Sequence, residues 1–378
     1  MKKIKMMMAA ALGVLVSCGS VKSGEEAIAA SRESKVVVAY VTSWSEVMPD
    51  PQYMTHINYA FGHVNESFNG VKIDNEERLR QIVDLRKQKP ELKVLLSIGG
   101  WGSGRFSEMA ANDEYRRAFA ADCDRVVKEF ALDGIDIDWE YPTSSMANIS
   151  SSPDDTENFT LLMQDIRAAI GNEKELTLAT VASARYIDFK AILPSVDFVN
   201  IMAYDMASAP KHHSALYPSG HSGDITSDGA VTAHLKAGVP PSKLVMGMPF
   251  YGRGGDGYPS FQDYNKVGNT DTQYTEKWDE VAQVPYLADK NDTLVFGFEN
   301  PRSLAIKCQY ILDKDLLGGM YWDYSGDNEQ GDLRRTVAEN LLGKPHKAKV
   351  LVLTERGGQH GGFTAVSYTH LRAHETSQ

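Results

Sequence analysis

The sequence predicts an α/β fold: a closed (β/α)8 TIM barrel with at most a reduced insertion between strands seven and eight. Three observations predict it. From Lys35 to about Leu342, short apolar runs alternate with longer amphipathic segments, and the alternation repeats eight times, as a closed parallel barrel requires. No glycine-rich phosphate loop follows the first run, where an open, doubly wound sheet often carries one. The composition, 42% apolar and 24% charged, fits a packed globular domain and not a disordered chain.

The strand candidates, in order, are Val36–Trp44, His56–Gly62, Lys93–Trp101, Gly134–Tyr141, Leu176–Ser183, Val196–Asp205, Leu244–Tyr251 and Gly318–Tyr324. Helical periods fall between them at Asn75–Gln88, Glu114–Phe130, Asp155–Ile170 and Arg302–Leu312. In the second of these, Tyr115, Phe119, Cys123, Val126 and Phe130 share one face. Cys123 and Cys308 both fall on helical segments and read as buried free thiols. The segment Gly254–Leu317 must hold the helix Arg302–Leu312, which leaves little length for an insertion.

Outside the barrel (residues 35–343), the first 18 residues read as a targeting signal. Lys2, Lys3 and Lys5 precede the apolar run Met6–Val16, which is too short to span a bilayer comfortably. The run ends in Leu15-Val16-Ser17-Cys18, which resembles a bacterial lipoprotein signal. That resemblance implies cleavage before Cys18, acylation of its thiol, and a membrane-anchored protein of the bacterial cell envelope, an outer-membrane lipoprotein facing the periplasm or the surface. The other reading is a plain signal peptide that contains a Cys. Residues 19–34 are rich in Ser, Gly, Glu and Ala and read as a flexible tether. Residues 344–364 read as the start of a further segment cut short, and 365–378 as a non-native tail. No second binding module is visible, and a monomer is expected. The net charge of −11 argues against nucleic acid and against an acidic polysaccharide, but not against a neutral glycan.

The most informative stretch is Asp133-Gly134-Ile135-Asp136-Ile137-Asp138-Trp139-Glu140-Tyr141-Pro142. Alternate residues of a strand share a face, so Asp136, Asp138 and Glu140 point one way and Ile135, Ile137 and Trp139 the other. Parallel strands of α/β folds are buried on both faces, so the acidic row must face the barrel interior. Three stacked carboxylates there carry a large desolvation and repulsion cost. They cannot all ionise, and their titration belongs to the group. Glu140 is outermost, at the C-terminal end, where barrel active sites lie. A carboxyl raised by burial and by a neighbouring carboxylate can donate a proton at neutral pH.

Asp133, Asp136, Asp138 and Glu140 resemble the DxxDxDxE signature of family 18 glycoside hydrolases, the chitinases. The resemblance continues in Ser97-Ile98-Gly99-Gly100 (SxGG), in Met202-Ala203-Tyr204-Asp205 (MxYD), in Pro249–Arg253 and in Trp322, and covers Val36 to about Leu342. It implies a retaining, substrate-assisted hydrolase of β-1,4-linked N-acetylglucosamine polymers that needs no cofactor and no metal. In that mechanism Glu140 is the acid and then the base. Asp138 bonds the substrate's acetamido N–H, Tyr204 bonds its oxygen, and Asp136 positions Asp138. Ser97 and Tyr40 point into the barrel by parity and resemble the residues beneath Asp136. Trp322 is expected to stack under the reacting sugar. Asp205 and Arg253 are expected to contact sugar, Trp101 and Trp44 to line the groove, Tyr141 to face either way, and Met202 and Phe250 mainly to pack. His212, His213 and His221 cluster after the sixth run without a carboxylate or Cys at ligand spacing. The short Gly254–Leu317 segment predicts an open groove and cutting within chains. Two alternatives stay open: an endo-β-N-acetylglucosaminidase acting on the chitobiose core of N-glycans, and a non-catalytic glycan-binding protein.

Overall fold

The computed structural model describes residues 35–255, 258–267 and 273–343. The signal with Cys18, the tether and everything past Gly343 lie outside the described residues. Eight parallel strands form the barrel: β1 (Val36–Thr42), β2 (His56–Val64), β3 (Lys93–Gly99), β4 (Gly134–Asp138), β5 (Glu175–Val181), β6 (Phe198–Met202), β7 (Leu244–Pro249) and β8 (Gly318–Trp322). Each pairs with its sequential neighbour, and β8 closes the ring on β1 from Val36↔Gly318 to Ala39↔Tyr321. Several apolar runs outlast their strands. Trp44, Trp101, Glu140, Tyr141 and Asp205 therefore sit on the loops at the C-terminal mouth.

The alternation along each strand sorts the core into two layers. Val37, Ala39 and Val41 of β1 face outward into the large cluster between barrel and helices, while Val38 and Tyr40 join the smaller cluster inside the ring. The helix Asp113–Glu129 is capped by Asn112, which accepts from the Glu114 and Tyr115 amides; it buries Phe119 and Cys123 against the barrel. Each large apolar side chain buried in this way contributes ~1.5–3 kcal/mol. Helix Pro301–Asp313 starts with a reciprocal Asn300–Ser303 capping box and Pro301 in its first turn. Cys123 and Cys308 are free and fully buried.

The insertion between β7 and β8 is an antiparallel sheet of five short strands, ordered Gln262–Asp263, Tyr251–Gly254, Leu294–Gly297, Val284–Ala288 and Thr275–Asp279. The chain leaves the barrel at Phe250, so Tyr251 belongs to the insertion and not to the seventh barrel strand. Phe250 stays behind, stacked on Tyr321 with ring centroids 4.2 Å apart. A fully buried ion pair ties the parts together. Lys307 donates to Glu299 and, at 2.5 Å, to the Ser214 carbonyl. The Ser214 hydroxyl bonds Glu299 at 2.6 Å.

Candidate active site

The β4 row faces the barrel interior, with Ile135, Ile137 and Trp139 in the outer core. Asp136 is fully buried. It accepts from Tyr40 Oη at 2.8 Å, Ser97 Oγ at 2.9 Å, Thr177 Oγ1 at 2.6 Å and Asn200 Nδ2 at 3.4 Å. Burial raises its pKa and these four donors work against the rise. Parallel register explains the cradle, because Ser97 and Thr177 are the direct neighbours of Asp136 on β3 and β5.

Asp138 is 4% exposed, and its Oδ1 has no hydrogen-bond partner among the described residues. Burial first, then the Glu140 and Asp136 charges, push its carboxyl well above the usual range. Glu140 lies past the strand end, facing the mouth. Burial pushes it up to about 7, with Asp205 adding to the rise and a Tyr141 hydrogen bond opposing it. Tyr204 follows β6. Its hydroxyl donates to Met320 Sδ at 3.7 Å; burial and the Asp138 and Glu140 charges hold the phenol protonated. The SxGG residues set the height of the row. Gly99 has φ +132°, and a Cβ there would sit 1.9 Å from the Asp138 carbonyl oxygen, so only glycine fits. The Gly100 amide donates to that same carbonyl at 2.8 Å.

A cavity of about 650 Å³ opens above the row. Tyr40, Asp138, Glu140, Tyr141, Met202 and Tyr204 line it, as do Asp205, Arg253, Trp44, Trp101 and Trp322. Asp136 and Ser97 lie beneath its wall. Met202, expected mainly to pack, does both: it joins the inner core and lines the cavity. Tyr141 turns into the cavity. Asp133, the first member of the signature, lies away from the site at the N-terminal end of β4; it accepts from the Val94 amide at 2.7 Å and pairs with Arg86.

Two separate aromatic groups contribute to the cavity wall. In one, Trp322 sits 5.5 Å from Tyr40 and 5.5 Å from Phe61, with Trp44 at 6.4 Å. In the other, Tyr141 meets Trp101 at 6.4 Å and stacks on Tyr186 at 5.5 Å. Arg253 grips Asp205 through two bonds of 2.7 and 2.6 Å. Desolvation alone would raise Asp205, but Arg253 and His213 outweigh it and hold the carboxyl well below the usual range. His213 Nδ1 is 3.5 Å from Asp205, and His212 pairs with Asp279 of the insertion at 3.2 Å. Among the described residues no group of His, Cys, Asp or Glu is arranged to hold a metal ion.

The sequence reading missed Thr177 and Asn200, although their inward parity on the fifth and sixth runs was a usable signal. It also missed Phe61, Met146, Arg185, Tyr251 and Phe261 on the cavity wall. Met146, Arg185 and Phe261 sit on loops, where no period marks them.

Comparison with known proteins places this geometry. Residues 36–327 match the model of the glycosyl hydrolases family 18. Chitinase A1 of Niallia circulans is 29% identical over 81% of this chain and 58% of its own length, so the chain spans little more than half of that relative. Mouse chitotriosidase-1 is 31% identical over 78% of this chain and 74% of its own. The solved structure of a family 18 N-acetylglucosaminidase from Paenibacillus barengoltzii superposes with a TM-score of 0.75 at 32% identity, covering 81% of this chain and 99% of that one. With a closed eightfold barrel, an inward acidic row on β4, and a family match that spans all eight barrel strands, the chain belongs to family 18 of the glycosyl hydrolases.

Proposed function

We propose that the protein is a chitinase that cuts β-1,4-linked N-acetylglucosamine polymers with retention of configuration by substrate-assisted catalysis. The observation that carries this reading is the pairing of Glu140, raised to about 7, with Asp138, whose Oδ1 lacks a partner among the described residues, in one cavity with Tyr204 and Trp322. Glu140 protonates the glycosidic oxygen. The acetamido oxygen of the sugar attacks its own anomeric carbon, and the C–O bond to the leaving sugar breaks, giving an oxazolinium ion. Asp138 takes a hydrogen bond from the acetamido N–H and stabilises the positive charge. Tyr204, held protonated, donates to the acetamido oxygen and keeps it in line. Glu140, now ionised, removes a proton from the water that opens the ring.

Relatives named chitinase and chitotriosidase support the substrate class. The neighbour named N-acetylglucosaminidase is compatible with the second reading, action on the chitobiose core of N-glycans. Cutting within chains, a monomeric state and an anchor at Cys18 in the bacterial envelope complete the proposal. A digest of chitin oligomers with the anomers resolved, run beside a glycoprotein glycan-release assay, tests it. Retained β-anomers from the oligomers are expected. Glycan release with no oligomer cleavage moves the assignment to the second reading, and no cleavage of either overturns both.

A further inference from the structure

Arg185 is a cation on the cavity wall that no carboxylate among the described residues neutralises. It lies just past β5 on the rim shared with Tyr141 and Glu140. Its Nε donates to Ser183 Oγ at 3.0 Å, its guanidinium stands 5.7 Å over the Tyr186 ring, and among the described residues it makes no ion pair. The other lining cation, Arg253, is committed to Asp205. Trp322 is the proposed floor for the sugar that reacts. Arg185 belongs instead to the other aromatic group, through Tyr186, which stacks on Tyr141 next to Glu140.

We propose that Arg185 recognises a carboxylate on the leaving half of the substrate, roughly one or two sugars past the scissile bond. The net charge of −11 and the acidic row disfavour a polyanion. The structure therefore fits one carboxylate at the end of an otherwise neutral chain: an N-acetylglucosamine oligomer whose reducing end is oxidised to the C1 carboxylic acid. A guanidinium presents a planar donor fork that suits a carboxylate better than a hydroxyl. The class of reaction that supplies such an end is oxidation at C1. This inference rests on the chitinase reading.

The test is kcat/KM for chitopentaose and for its C1-oxidised form, with wild type, Arg185→Gln and Arg185→Lys. The oxidised-to-neutral ratio is expected to be about two- to fivefold higher in wild type than in Arg185→Gln, the range of a solvent-exposed ion pair. Arg185→Lys should recover part of it, and high salt should collapse the wild-type ratio. Equal ratios in wild type and Arg185→Gln would overturn the assignment while leaving the chitinase reading intact. A wild type that cuts neither oligomer overturns the chitinase reading, and this inference with it.

Discussion

Replacing Glu140 with Gln is expected to abolish most activity and, at neutral to alkaline pH, to make the fold more stable. The two effects share one cause. Burial lifts the Glu140 carboxyl from 4.5 to about 7, which sets a penalty of about 3 kcal/mol on its charged form in the folded state. The folded pKa lies above the unfolded one, so retention of the proton favours the native state fully below pH 4.5. That advantage is lost as pH rises to about 7 and stays lost above it. Gln keeps the shape without the charge and escapes the loss. It also removes a charge that raises Asp138, so part of the relief is shared between the two groups. Thermal unfolding of wild type and Glu140→Gln at pH 4.5 and pH 8 checks this. The variant should gain roughly 5 °C more at pH 8 than at pH 4.5, and kcat should fall about 10²- to 10⁴-fold, the usual loss for a general acid. A Tm difference that ignores pH would refute the burial argument, and wild-type turnover would refute the choice of acid.

Wild-type kcat/KM should fall as pH rises through about 7, where Glu140 loses its proton; a rate that holds steady to pH 9 speaks against Glu140 as the acid. Tyr40→Phe removes one of four donors to Asp136 and leaves Ser97 on the same oxygen, so it should cost about 0.5–1.5 kcal/mol, the net worth of one hydrogen bond. Chemical denaturation reads that cost, and a loss below about 0.5 kcal/mol would mean that the cradle is not needed. Gly99→Ala places a Cβ 1.9 Å from the Asp138 carbonyl, so soluble protein with wild-type activity would contradict the fit. Lys307→Met leaves Glu299 buried and unpaired and should destabilise by about 3–5 kcal/mol, measurable as an earlier unfolding midpoint.

The barrel was legible because a buried parallel strand leaves a strong mark, and the acidic row because alternation breaks that mark on one face only. Asp136, Asp138 and Glu140 could be assigned a face from parity alone. Parity also held the donors Thr177 and Asn200, but a Thr or Asn inside an apolar run is common and points nowhere without its neighbour across the register. The insertion was legible only as a length. Its strand Thr275–Asp279 is partly exposed and alternates no apolar face, and its short strands pair only with one another, so neither period appears. Arg185 and Phe261 escaped because a loop position acquires meaning only when the barrel brings its rim together.

The contrast between the two buried aspartates bears on how the site can work. Asp136 is surrounded by donors and gains nothing further from a substrate. Asp138 sits one step outward with Oδ1 unpaired, and an unsatisfied buried acceptor costs about 1–3 kcal/mol. In the proposed mechanism the Asp138 carboxyl turns to bring that oxygen to the acetamido N–H of a substrate in the cavity, and the bond strengthens as positive charge develops beside it. On that proposal, free energy withheld in the resting protein is released on the way to the transition state, where it accelerates the reaction instead of only tightening binding. A sugar with a bare hydroxyl at the same position supplies neither the nucleophile nor the full measure of that bond. On the proposed mechanism, the demand for an N-acetyl group is therefore built into the barrel floor, beneath any contact the groove makes with the rest of the chain.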